Sequence, residues 1–325
     1  MFRKRINYLK RVYQAYVSGK DSQLTFWHGT PEVNQEVEPG VLGQYYMPFL
    51  AKSGYSAHLD PNGIPLLDYH GTIGLQYNPI AIAQFGLGNY NLFQRTAESN
   101  YQEKFLLAAD WLKDNLVVNE FGVPVWMHYF DFEYQEGLRS PWYSGLAQGQ
   151  ALSVLVRAYQ LTQEQEYLEA AREGFAAFQL SVTEGGVITR DANDHLWIEE
   201  YIVSQPTHIL NGFIWALWGV YDYYLATNSD EAKRVYEEGL NTIRENLDRY
   251  DTGFWSLYDL SELKLKMTAS PFYHQLHIIQ LRIVHQLTGE SVFSEFANRW
   301  ESYQRIPINR WKAFFEKLLF KVFYY

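Results

Sequence analysis

The sequence predicts a mainly α protein: an α/α toroid of about four helix hairpins preceded by a short N-terminal β and loop region. Three observations predict it. Segments of one texture recur at a fixed spacing, each is followed by a charged amphipathic helix, and turn-forming residues crowd the stretch ahead of the first repeat. A repeat of paired helices buries its apolar faces only by stacking on its neighbours, as a solenoid or a closed ring.

Taken in order, residues 1–19 form a basic segment and residues 20–78 a region of turns with a few strands. His28-Gly29-Thr30-Pro31, Glu38-Pro39-Gly40, Asp60-Pro61-Asn62-Gly63 and His70-Gly71 punctuate that region. From residue 79 the period becomes helical. The stretches PIAIAQFGLGNY, SGLAQGQALSVLVRAY, LNGFIWALWGVYDYY and LHIIQLRIVHQLTG begin four inner helices, and aligning Gln84, Gln148, Gly212 and Leu276 gives a period of 64 residues. The partners NYQEKFLLAADWLKDNL, QEYLEAAREGFAAFQL, DEAKRVYEEGLNTIRENL and SVFSEFANRWESYQR are amphipathic. The inner helices are apolar nearly all round, which favours burial in a toroid over the lining of an open groove. Residues 79–306 are therefore the expected catalytic toroid. Residues 307–325 are a basic amphipathic tail, with Trp311, Phe314, Phe315, Leu318, Leu319 and Val322 at helical spacing.

Long connections follow the second helices, rich in glycine, aromatics and acids, and loops of that length usually carry function. They hold Arg139, Trp142 and Tyr143, the pair Glu199-Glu200 with Tyr201, then Tyr258, Tyr273, His274 and His277. An acidic pair alone is most often a solvated face.

Composition narrows the chemistry. Aromatics make up 17% of the chain, with 26 Tyr and 10 Trp, and flat rings with polar tips suit sugar faces as well as a core. Cysteine is absent, which removes thiolate metal sites and cysteine nucleophiles. No Gly-rich phosphate loop, HExxH helix or GxSxG elbow occurs, so neither cofactor nor metal is expected. Residues 1–11 carry +5 and residues 310–325 carry +3, leaving the remainder at −18. Such a body disfavours nucleic acid. The N-terminal residues lack the apolar run of a secretory leader, so a cytoplasmic location is the default. The tail adds an expected contact with the inner membrane face or a membrane-bound partner, against the alternative that it packs on the toroid; a homodimer is also allowed for.

Four ordered blocks then carry a resemblance: SPWYSGLAQGQALSVLVRAYQLT (140–162), EEYIVSQPTHILNGFIWALWGVYD (199–222), LDRYDTGFWSLYDL (247–260) and YHQLHIIQL (273–281). Together with Arg299 to Tyr303 and, more weakly, 77–87, they resemble the glucuronyl C5-epimerases, departing from the family pattern at Ile202, Ser261 and Phe272. The resemblance implies a toroid preceded by β structure, an acidic polysaccharide substrate, and conversion of D-glucuronate to L-iduronate within that polymer. It carries a catalytic glutamate onto Glu200 and a catalytic tyrosine onto Tyr273, on opposite faces of the sugar, with Tyr201 and Tyr258 beside them. Tyr201, Tyr258 and His274 would face the substrate carboxylate or relay protons. Trp142 and Tyr143 would form a sugar platform and Arg139 would pair a carboxylate. Tyr77, Gln84, Gln148, Asn211 and His277 complete the expected binding set, and packing or helix capping competes at each. A lyase shares the first proton abstraction, a hydrolase would need a second carboxylate such as Asp251 or Asp259, and a non-catalytic sugar-binding protein would need none.

Overall fold

A computed structural model describes residues 29–324, so the basic segment 1–19 lies outside the described residues. Among them α1 (Pro79–Thr96) turns directly into α2 (Ser99–Asp114), and α3 (Gly145–Thr162) into α4 (Gln165–Phe175). Likewise α5 (Leu210–Thr227) leads into α6 (Asp230–Tyr250) and α7 (Pro271–Thr288) into α8 (Ser291–Gln304), with α9 (Pro307–Tyr324) last.

Each hairpin closes with the same device. The inner helix ends on a threonine (Thr96, Thr162, Thr227 or Thr288) whose hydroxyl donates to the carbonyl four residues back at 2.7–3.0 Å. That oxygen also accepts the N–H two residues ahead at 3.1–3.3 Å. The residue between, Ala97, Gln163, Asn228 or Gly289, turns the chain in the left-handed region. A free backbone N–H and carbonyl at the helix end are thus satisfied by one side chain. The threonines are spaced 66, 65 and 61 residues apart, not a constant 64, because the inner helices repeat at 18 residues while the second helices and the connections after them vary in length.

The inner helices stand in the order α1, α3, α5, α7, with the amphipathic partners packed behind them, giving the α/α toroid. Where α3 crosses α5, a Cβ on Gly219 would collide with the Gly149 carbonyl, so the two backbones touch and only glycine fits. Nearby, Arg157 of α3 and Asp222 of α5 form a buried ion pair at 2.6 and 3.0 Å. The segment before α1 is wedged between the first and last inner helices. Phe49 and Ser53 pack on Gly88 of α1, and Gln286 of α7 donates to the Val37 carbonyl at 3.1 Å. It is also tied to the ion pair, because Tyr46 donates to Asp222 at 2.6 Å and Arg157 to the Gly43 carbonyl at 2.9 Å.

Strands are short and antiparallel. One pair, β1 (Leu67–Asp68) and β2 (Leu75–Gln76), lies in the N-terminal region. The others fall in the connections expected as loops: β3 (Leu116–Val118), β4 (Pro124–His128) and β5 (Trp142–Tyr143) form one sheet, and β6 (Ile188–Arg190) pairs with β7 (Leu196–Ile198). No helix of the described residues is long and apolar enough to cross a membrane. The tail helix α9 packs on the connection between α6 and α7: Lys317 donates to the Thr268 carbonyl at 2.9 Å, and Thr268 donates to the Ala313 carbonyl at 3.2 Å.

Candidate active site

The chain leaves β7 into adjacent glutamates that do opposite things. Glu199 is a clamp. Its N–H donates to the Val187 carbonyl at 2.8 Å and its own carbonyl accepts Gly145 N–H at 3.0 Å, which ties the β6–β7 ladder to the start of α3. Its carboxylate meets His208 Nδ1 at 2.6 Å, the Thr189 hydroxyl at 2.7 Å and the N–H groups of Thr207 and His208. Burial pushes this carboxyl up, but the His208 ring and the other donors outweigh it and hold it below its ordinary value.

With Glu199 locked, Glu200 turns its side chain the other way, onto the first turn of α5. Its carboxyl lies directly against the Cα of Gly212, where any added Cβ would collide with it, so this helix position accepts only glycine. Asn211 Nδ2 donates to Glu200 Oε2 at 3.4 Å, and Tyr201 hydrogen-bonds to the same carboxyl. Burial dominates these donors and pushes Glu200 up to about 7. Two neighbouring carboxylates driven apart in this way are the arrangement that separates a structural ion from an acid–base group.

Tyrosines surround Glu200. Tyr201 and Tyr258 are lifted well above their ordinary value by burial first and by the Glu200 charge second. Tyr258 lies edge-on to Tyr273, centroids 4.9 Å apart, and Tyr201 packs on Tyr134 at 4.6 Å. Tyr258 is held on both sides, its N–H donating to the Met267 carbonyl at 2.7 Å and its carbonyl accepting Leu210 N–H of α5. Tyr273 sits in the first turn of α7, where the Ser270 hydroxyl caps its N–H. Four connections or helix starts therefore deliver one cluster at one end of the ring.

Of the residues singled out from sequence, the structure brings together Glu200, Tyr201, Tyr258, Tyr273 and Asn211. Trp142 borders them, 5.8 Å from the Tyr201 ring, with its Nε1 tied to the Phe130 carbonyl and its face stacked on His128. The others it places elsewhere. His274 is fully buried, with Nδ1 on the Ser256 hydroxyl at 2.7 Å, Nε2 on the Trp300 carbonyl at 3.0 Å, and its ring on Trp255. His277 meets the same hydroxyl at 3.0 Å, so both histidines are built into the α7–α8 framework. Gln148 tethers β4 through the Trp126 backbone, and Gln84 donates to Gln150 between α1 and α3. Tyr77 reaches Asp60 and packs on Trp111 of the outer helix α2. Arg139 is exposed and paired with Asp131 at 2.6 Å, and the Tyr143 hydroxyl lies 3.4 Å from the Gly186 carbonyl.

Sequence reasoning missed Tyr134 and Lys317. Tyr134 donates to Asp259 at 3.2 Å behind the cluster, and Gln135 donates to the same carboxyl at 3.0 Å. Lys317 of α9 lies buried 5.4 Å from the Tyr258 ring centroid, and burial lowers its ammonium to about 8. Neither carries a motif; the only signal was an aromatic, acidic connection and a cation on an amphipathic tail.

Comparison with known proteins follows the same residues. The family model described as D-glucuronyl C5-epimerase C-terminus matches residues 119–302. A D-glucuronyl C5-epimerase of Caenorhabditis elegans is 30% identical over 221 residues, covering 62% of this chain and 35% of that protein. The chain thus spans about a third of that relative's length. An uncharacterized protein of Methanocaldococcus jannaschii is 27% identical over 253 residues, 71% of this chain and 80% of that one. Among solved structures, cellobiose 2-epimerase from Spirochaeta thermophila aligns with TM-score 0.51 at 14% identity, over 78% of this chain and 65% of that one, a likeness of fold.

Proposed function

The chain belongs to the D-glucuronyl C5-epimerase C-terminus family, and from that premise we propose that it inverts C5 of D-glucuronate residues within a polysaccharide, giving L-iduronate. The observation that carries this reading is a buried glutamate poised near neutrality inside a ring of tyrosines.

The C5 proton of a uronate is acidified by the adjacent carboxylate, and its removal leaves an enediolate with two negative charges. A base whose affinity for protons matches neutral solution takes and returns a proton with least penalty. Glu200 in its ionised form is that base. The C5–H bond breaks, its proton passes to Glu200, and its electron pair moves into the carboxylate. Tyr273 then gives its phenolic proton to C5 from the opposite face, and the cycle closes as Glu200 releases its proton to solvent and Tyr273 regains one through the neighbouring tyrosines. Tyr258 donates a hydrogen bond to the developing charge, joined by Tyr201 once the protonated Glu200 no longer takes its hydroxyl, and a low-dielectric pocket strengthens both. A heparosan-type chain is the first substrate to try.

The test is incubation of that polymer with enzyme in deuterated water, followed by NMR. Iduronate signals with deuterium at C5 are expected. Absorbance from unsaturated chain ends would mean elimination instead, and an unchanged polymer without exchange would sink the proposal for this substrate.

A further inference from the structure

The tail helix α9 has two opposite faces, one buried and one apolar and exposed. Its inner face, Asn309, Ala313, Lys317 and Phe320, is buried against the toroid. On the opposite side Ile308, Trp311, Phe315, Leu319, Val322 and Phe323 recur every three or four residues and are 49–72% exposed. At a rise of 1.5 Å per residue this stripe runs roughly 22 Å along the helix. An outward stripe of that length is not needed to hold the helix, which its inner face already anchors. Contiguous exposed apolar surface of this kind marks an interaction site.

We propose that this outer face docks the protein on an anionic membrane surface, with the helix lying flat at the headgroup boundary. Charge selects this occupant. Arg310 and Lys312 flank the stripe, both exposed. The helix carries a single carboxylate, Glu316, which is partly buried. A two-fold pairing with a second copy would set two such cationic helices together with no exposed acid on either to meet them. Anionic lipid supplies the missing charge, and Trp, Phe and Leu side chains enter the acyl boundary. Outside its two basic ends the chain sums to −18, so an anionic surface repels that acidic body and favours approach by a basic end such as this one. Because α9 packs on the connection bearing Tyr258 and Thr268, docking would hold the candidate site close to the lipid.

The full chain is sedimented at low salt with phosphatidylcholine vesicles and with vesicles of equimolar phosphatidylcholine and phosphatidylglycerol. Binding is expected to the second only, and to weaken as salt rises. Replacing Phe315→Glu and Leu319→Glu together should lower binding at least about tenfold, since each buried apolar side chain contributes more than that factor requires. Both side chains are exposed, so the variant's circular dichroism and thermal midpoint should match the parent. Three results would overturn the proposal: no sedimentation with anionic vesicles, unchanged binding by the double variant, or a stable dimer by light scattering that the double variant dissolves. The last would assign the face to a second copy.

Discussion

Glu200 shows how much one residue's surroundings decide. Its pair with Glu199 read from sequence as an ordinary acidic run, and only the ordered blocks around it singled it out. The structure supplies the physical difference: Glu199 is surrounded by donors, while Glu200 has two, Tyr201 and Asn211. A sign follows for stability. A carboxyl raised from 4.5 to about 7 binds a proton in the folded chain that the unfolded chain has released, so stability falls as pH rises between those values. The loss levels off above 7 at about 3 kcal/mol. Glu200→Gln should therefore remove about 10²–10⁴-fold of turnover, measured as C5 deuterium exchange. The same variant should be more stable than the parent at pH 8, by about 3 kcal/mol in a denaturant titration, with the gain vanishing near pH 4.5. Wild-type exchange, or a stability difference that does not change with pH, would refute this account. Tyr134 was not legible because it joins the cluster through tertiary contact with Tyr201, and its connection has no period to mark which aromatic points inward.

At the scale of elements, helices were legible because apolar residues at three- and four-residue steps are a local signal. Their true register was not, since aligning helix interiors hides differences in the lengths of the second helices and connections that the terminal threonines reveal. The short strands escaped because two or three residues carry too little pattern. The buried pair between α3 and α5 escaped for a different reason: Arg157 and Asp222 lie 65 residues apart and each looks like an ordinary polar position. Asp222 accepts from both Arg157 and Tyr46, so it joins two inner helices to the N-terminal segment. Asp222→Ala should leave the guanidinium uncompensated and lower unfolding free energy by about 3–5 kcal/mol, a loss read from urea denaturation. A change below 1 kcal/mol, on the order of an exposed pair's contribution, would contradict that role.

For the whole molecule, the tail was expected either to meet a membrane or to close the toroid, and its inner face does pack on the toroid. The side chains that hold it can be told apart experimentally. Phe320 is fully buried in a cluster with Trp255, Tyr258 and Met267, whereas Phe315 is exposed. Phe320→Ala should cost about 3–5 kcal/mol. Phe315→Ala should stay within about 0.5 kcal/mol. Equal effects in thermal unfolding would mean that α9 is held differently. The N-terminal wedge was not legible at all, because it is irregular chain whose partners are distant in sequence. That wedge has a mechanical meaning for the ring. Joints between successive inner helices are made by two long rigid bodies, but the joint between α7 and α1 is filled by residues 29–55, where backbone pairing is sparse. The ring therefore closes at that joint through the side chains of an irregular segment, Tyr46 and Phe49 among them, whereas α3 and α5 meet backbone to backbone.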